Sequence, residues 1–282
     1  MPELPEVETT RRGIEPACLG QSITKVIVRQ RSLRWPIPKG IEQKLKGAIF
    51  RKVSRRAKYL LLEIARNTAH NNHATIILHL GMTGTFRVLE QGTPAEKHDH
   101  IDILLDNDTL LRFRDPRRFG AFILTTEPPK QHPLLKNLGI EPVLYGHTAE
   151  DVAEHLYAQS RKRKTSIKSF LMNQKIITGV GNIYACESLF LSSIHPKRAC
   201  NKISKQRYLE LARAIISTLT TSIKQGGTTL QDFRNSEGKP GYFQQQLLVY
   251  GRENEPCTEC GSTIRKITQN QRSTWYCPRC QH

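Results

Sequence analysis

Two groups of residues in this sequence have the types and spacing to do chemistry, and they stand at opposite ends of the chain. At the start, Met1-Pro2-Glu3-Leu4-Pro5-Glu6 places proline second, behind an initiator methionine of the kind that is trimmed before a small residue. Trimming would expose a secondary amine at Pro2. An α-amine titrates at about 8, roughly two units below lysine, so part of it is an unprotonated nucleophile at neutral pH without deep burial. Glu3 and Glu6 lie three apart, and in a helix start they share one face beside that amine, as acid or base. A plain helix start uses the same residues, proline for its fixed φ and glutamate for the macrodipole. The stretch alone leaves both readings open.

At the other end, Cys257-x-x-Cys260 and Cys277-x-x-Cys280 are separated by sixteen residues. Two thiolates from each pair suit a tetrahedral zinc ribbon with a hairpin between the pairs. Four protein sulfurs leave no position for water, so one structural Zn2+ is expected. Arg265, Lys266, Arg272 and Arg279 line the same module and suit phosphate or groove contacts. Cys18, Cys186 and Cys200 have no motif partner and read as small apolar packing residues.

The elements that must hold these groups change character along the chain. From Glu3 to about Glu15, Leu4, Val7 and Ile14 keep helical spacing, and Gly20 closes the segment. Short β-type runs follow at 23–28, 59–64, 75–80, 85–89, 101–105 and 110–124, the last interrupted at Asp115-Pro116. Asp106-Asn107-Asp108 fits a hairpin, and strands so spaced read as a sandwich or barrel. The insert at 67–73 reads as a solvated loop. At Glu127-Pro128-Pro129-Lys130 the pattern breaks, and helical periodicity follows over 149–159, 165–173, 183–192 and 205–224. A glycine-rich passage, 226–241, leads to the cysteine module and suits a loop near a ligand.

Composition bounds the partners. The 282 residues suffice for about two domains, and a net charge of +18 makes a polyanion the natural partner, without speaking for chemistry on it. No apolar run is long enough to span a bilayer, and a start carrying Glu3, Glu6 and Glu8 is not a signal peptide. A reducing, cytoplasmic setting is expected. Arg161-Lys162-Arg163-Lys164 and Gly179-Val180-Gly181-Asn182 surround helix starts, where free N–H groups can hold phosphate or merely link two helices. Arg112, Arg114, Arg117 and Arg118 around Phe119 suit either a wedge into a base stack or a charged hairpin tip.

Met-Pro-Glu-Leu-Pro-Glu-Val-Glu-Thr at 1–9, Arg-Arg-Ala-Lys-Tyr-Leu at 55–60, His-Leu-Gly-Met-Thr-Gly at 79–84, Asp-Pro-Arg-Arg-Phe-Gly at 115–120, Gly-Val-Gly-Asn-Ile-Tyr at 179–184 and the four cysteines together resemble the bacterial formamidopyrimidine-DNA glycosylases, in matching order from end to end. The resemblance implies a multidomain α+β chain. Its parts are an N-terminal β-sandwich with an N-terminal helix over 1–130, a helix-two-turns-helix domain over 131–225, a glycine-rich lid over 226–246, and a zinc finger over 247–282. It implies a bifunctional DNA glycosylase and AP lyase that excises oxidised purines from damaged double-stranded DNA as a cytoplasmic, nucleoid-associated monomer. By the same resemblance Pro2 is the nucleophile, Glu3 the acid/base with Glu6 in support, and Lys58 and Arg272 aid the lyase step. His98, Arg117, Arg163 and Asn182 bind DNA. Met82, Arg117 and Phe119 enter the duplex, and Cys257, Cys260, Cys277 and Cys280 hold zinc. An endonuclease VIII-like enzyme for oxidised pyrimidines is the nearest alternative; Leu4 stands where that branch typically has glycine. A non-catalytic zinc-containing DNA-binding protein is the alternative from another class.

Overall fold

The computed structural model describes residues 2–66, 73–227 and 247–282, so the 67–72 part of the insert and most of the glycine-rich stretch lie outside the described residues. Two compact units form. One is built on the chain up to Lys136 together with Gln225–Gly227, and the other on Asn137–Lys224 with the C-terminal residues from 247.

The first unit begins with α1 (Leu4–Cys18). Glu3 and Glu6 form a capping box at its start, and Val7, Ile14 and Cys18 point into the core. Two antiparallel sheets share that core. One runs β1 (Ile23–Val28), β6 (Asp99–Leu105), β7 (Thr109–Arg114), β5 (Thr85–Glu90), and the other β2 (Ala48–Arg56), β3 (Tyr59–Arg66), β4 (His73–His79), β8 (Ala121–Thr125). Alternation decides which side chains meet: Leu60, Leu62 and Ile64 of β3 and Ile101, Ile103 and Leu105 of β6 all enter the core. Each such side chain contributes about 1.5–3 kcal/mol by leaving water. A short helix, α2 (Ile41–Leu45), adds Ile41 and Leu45.

Two features depart from the sequence reading. Strand β2 carries an irregularity between Phe50 and Lys52 that puts Arg51 and Lys52 out together, so its alternation is broken and sequence periodicity passes over it. The run 110–124 is two strands in different sheets: the chain leaves β7, passes Asp115–Gly120, and joins the second sheet as β8. Asp115–Gly120 is therefore a sheet-to-sheet crossing and not a hairpin tip. The hairpin expected at Asp106-Asn107-Asp108 joins β6 to β7.

The second unit holds α3 (Ala149–Ser160), α4 (Ile167–Leu171), α5 (Asn182–Leu191) and α6 (Lys205–Lys224). Thr148 and Asp151 cap α3 reciprocally. The C-terminal hairpin pairs β9 (Arg265–Gln269) with β10 (Arg272–Tyr276). The residues flanking it, Val249, Ile264 and Cys277, cluster with Cys186 and Phe190 of α5, and Trp275 of β10 packs against them.

Candidate active site

In the first unit the chemistry starts at the capped end of α1. Pro2 is buried, and Glu3 and Glu6 are 2% and 0% exposed. Glu6 Oε2 accepts the Glu3 N–H at 2.8 Å, which fixes the chain direction at the first turn. Gly227 lies against Glu6 at φ +86°, where a Cβ would stand 3.2 Å from Glu6 Oε1. The glycine-rich stretch thus leaves the described residues at the acidic helix start.

Lys58 sits in the two-residue turn Ala57-Lys58 between the paired residues Arg56 and Tyr59, and it is only 7% exposed. Ala57 takes φ +53°, a left-handed conformation that costs a non-glycine residue roughly 1 kcal/mol. The turn is tied to α1 by Arg55, whose Nε donates to Glu8 Oε2 at 3.1 Å and whose Nη1 donates to the Ala57 carbonyl at 2.8 Å. Burial alone would raise the Glu8 carboxyl. Hydrogen bonds from Arg11 and Arg12 and the charges of Arg11 and Arg55 carry it below the ordinary value.

The three residues expected to enter the duplex come from two loops joined backbone to backbone. Met82 is half-buried after β4, and Phe119 and Arg117 are exposed in the crossing between β7 and β8. Arg117 Cζ lies 5.0 Å from the Phe119 ring centre, a cation over an aromatic face. Gly81, at φ +70°, meets Gly120 so closely that a Cβ would stand 2.7 Å from the Gly120 nitrogen. Below them, Asp115 is fully buried and accepts the Gly120 N–H at 2.7 Å. His79, at the end of β4, accepts the Gly81 N–H on Nδ1 at 3.0 Å. Burial, then the charges of Lys58 and Arg34, push its imidazole down to about 4, so it stays neutral. His98, at φ +76°, is half-buried, and its carbonyl accepts the Asp115 N–H at 3.1 Å.

In the second unit Asn182 opens α5 and donates to the Ser273 carbonyl at 3.0 Å. Lys168, 1% exposed, donates to the same carbonyl at 3.0 Å and to Thr274 Oγ1 at 2.6 Å. These bonds pin β10 and leave its first residue, Arg272, exposed beside the Asn270-Gln271 turn. Glu187 on α5 accepts the N–H groups of Leu248, Val249 and Tyr250 at 2.8–3.0 Å, which anchors the segment entering the cysteine module. Arg163 is exposed and folds back on the Gln159 carbonyl.

The four cysteine sulfurs lie within 4.8 Å of one another, with Cys257–Cys280 at 3.9 Å and Cys260–Cys277 at 3.5 Å. Tetrahedral zinc with sulfur at about 2.3 Å needs sulfurs roughly 3.8 Å apart, so the set fits one zinc ion with no open position. Zinc there supplies folding energy and no Lewis-acid step. Cys18, Cys186 and Cys200 are buried, and Cys18 is pushed up to about 12 by burial.

Three family models match in order: the formamidopyrimidine-DNA glycosylase N-terminal domain over 1–122, its helix-two-turns-helix domain over 138–234, and a zinc finger found in these glycosylases and isoleucyl-tRNA synthetase over 254–282. The chain belongs to the formamidopyrimidine-DNA glycosylase family. A family member from Marinobacter nauticus is 52% identical over 282 residues and another from Hydrogenovibrio crunogenus 51% over 281, covering the whole of this chain and 100% and 96% of their own lengths. A Lactococcus lactis Fpg solved with abasic-site DNA is 34% identical, covers both chains fully and superposes with a TM-score of 0.87. The same enzyme's mutant with Fapy-dG DNA gives 0.88. Among the described residues no helix is long and apolar enough to cross a membrane.

Sequence reasoning for this glycosylase-family chain missed the supporting residues Arg55, His79, Lys168 and Glu187. Their signal was faint: each is an ordinary charged or polar residue, and the burial of Arg55, Lys168 and Glu187 and the half-burial of His79 are visible only once the strands and helices are assembled.

Proposed function

We propose that this chain excises oxidised purines, 8-oxoguanine and formamidopyrimidines, from duplex DNA and then cleaves the strand at the resulting abasic site, with the Pro2 amine as nucleophile. The observation that carries the reading is the buried Pro2-Glu3 helix start, backed by Glu6 and by a buried Lys58 in a turn tied to the same helix. Family membership and the DNA-bound similar structures support the same reading.

A damaged base cannot be attacked inside the stack, and turning it out costs a few kcal/mol. Met82, Arg117 and Phe119 offset part of that loss by entering the space left behind, an apolar and cationic wedge held by the Gly81–Gly120 contact. With Met1 removed, the Pro2 nitrogen attacks the sugar C1′ as the bond to the base breaks. Glu3 is the acid/base for the accompanying proton transfers, with Glu6 orienting its backbone. A secondary amine yields a cationic iminium directly, which acidifies the C2′ proton, and successive eliminations then break the strand. Lys58, Arg272 and Asn182 hold phosphates and support the lyase step; His98 and Arg163 add DNA contacts. In this reading residues 1–130 carry the chemistry, and 131–225 and 247–282 grip DNA; most of 226–246 lies outside the described residues. The protein acts as a single chain.

Paired duplexes, one bearing 8-oxoguanine and one thymine glycol, test the substrate class. Single-turnover excision should be faster on 8-oxoguanine. A faster rate on thymine glycol would overturn the purine assignment.

A further inference from the structure

Glu8 is a buried carboxylate to which the catalytic reading gives no part. It is 3% exposed, in the second turn of α1 two residues past Glu6, and three guanidinium groups converge on it. Arg11 and Arg12 stand three and four residues along the same helix, with side chains 20% and 49% exposed. Arg12 supports α1 itself; Arg11 also pairs with Glu15 and donates to the Val53 carbonyl of β2 at 3.3 Å, away from the Ala57-Lys58 turn. Arg55 differs in both burial and direction. Its side chain is 2% exposed, it comes from β2, and its planar fork bridges two acceptors, Glu8 Oε2 at 3.1 Å and the Ala57 carbonyl at 2.8 Å.

The second acceptor belongs to the left-handed residue that precedes Lys58. A non-glycine residue holds such a conformation only where its surroundings fix it. Arg55 supplies such a restraint at the carbonyl, and Glu8 fixes Arg55. We infer that Glu8 is a positioning residue for Lys58: through Arg55 it sets the Ala57-Lys58 turn against the helix that carries the nucleophile. The inference rests on the proposed role of Lys58 in the lyase reaction. It makes α1 do two things at once, presenting the amine at its first turn and placing the lysine from its second. Neutralising Glu8 would take a buried charge from the Arg55 fork and weaken its hold on the Ala57 carbonyl. A displacement of about 1 Å at a catalytic group can cost roughly a hundredfold in rate.

A double-mutant cycle distinguishes positioning from bulk stability. Single-turnover formation of the borohydride-trapped adduct on 8-oxoguanine duplex is measured for the full chain, Glu8→Gln, Lys58→Ala and the double variant, with DNA affinity alongside. Glu8→Gln should slow adduct formation by about tenfold at unchanged affinity, and should slow Lys58→Ala by less than about twofold, because two groups acting through one contact are non-additive. Glu8→Asp, which keeps the charge, should recover part of the rate. Equal slowing in both backgrounds would overturn the inference, as would an unchanged rate in Glu8→Gln. If Glu8→Gln does not fold, Arg55→Lys carries the same cycle, since an ammonium lacks the fork to hold both acceptors. Loss of fold in both variants would make the pair purely architectural and would also overturn it. If the unaltered chain forms no adduct, it is the proposed function that fails.

Discussion

Replacing His79 with Gln should flatten the pH dependence of stability below neutrality. The folded chain protonates this imidazole only at about 4, because burial and the nearby Lys58 and Arg34 charges oppose a cation there, against an ordinary value of 6.5. Between those values the unfolded chain binds the extra proton, so stability rises with pH through the window. The contribution is complete above about 6.5 and is lost as pH falls towards 4. At 1.36 kcal/mol per unit the full interval is worth ~3 kcal/mol, of which ~2 kcal/mol disappears between pH 7.5 and pH 5. Glutamine keeps an acceptor for the Gly81 N–H but does not titrate. Urea unfolding of both proteins at pH 7.5 and 5.0 measures the difference, and groups that titrate in both cancel. The unaltered chain should lose ~2 kcal/mol more than the variant. Equal losses would refute a half-buried His79 that stays neutral in the fold.

Further predictions concern the supporting framework. Gly81→Ala would force a Cβ against the Gly120 backbone at positive φ, and the melting temperature should fall by an amount equivalent to about 2 kcal/mol or more; an unchanged value would mean the Met82 and Phe119 loops are not in backbone contact. Arg112→Met would leave Asp99 and Asp102 buried beside a lost cation, which should cost about 3–5 kcal/mol in denaturant unfolding. Cys260→Ser, or a strong chelator, should remove bound zinc by metal analysis and weaken DNA binding. Full affinity in a zinc-free sample would contradict a structural finger.

Much of the fold was legible because burial imposes a period. Ile23–Val28 and Lys205–Lys224 were bounded from their spacing alone, and the paired cysteines announced their own assembly. What escaped was set by the partner rather than by the segment. Strand β2 hides its alternation behind the Phe50–Lys52 irregularity, and the 110–124 run gives no sign that its halves join different sheets. The site divides the same way. Pro2, Glu3 and the cysteines were visible as chemistry at telling positions in the chain. Lys168, Glu187 and the Glu8–Arg55 pair became meaningful only when tertiary packing removed them from water. A charged residue in sequence reads as surface until a fold shows what it faces.

In the proposed reaction the amine of Pro2 forms the covalent bond to DNA. Borohydride trapping on an 8-oxoguanine duplex, followed by nuclease digestion and peptide mass mapping, identifies the bonded nitrogen. The expected product is a reduced sugar adduct on the N-terminal nitrogen of a chain that begins at Pro2. An adduct on Lys58 or another lysine, or trapping by a chain that retains Met1, would contradict it.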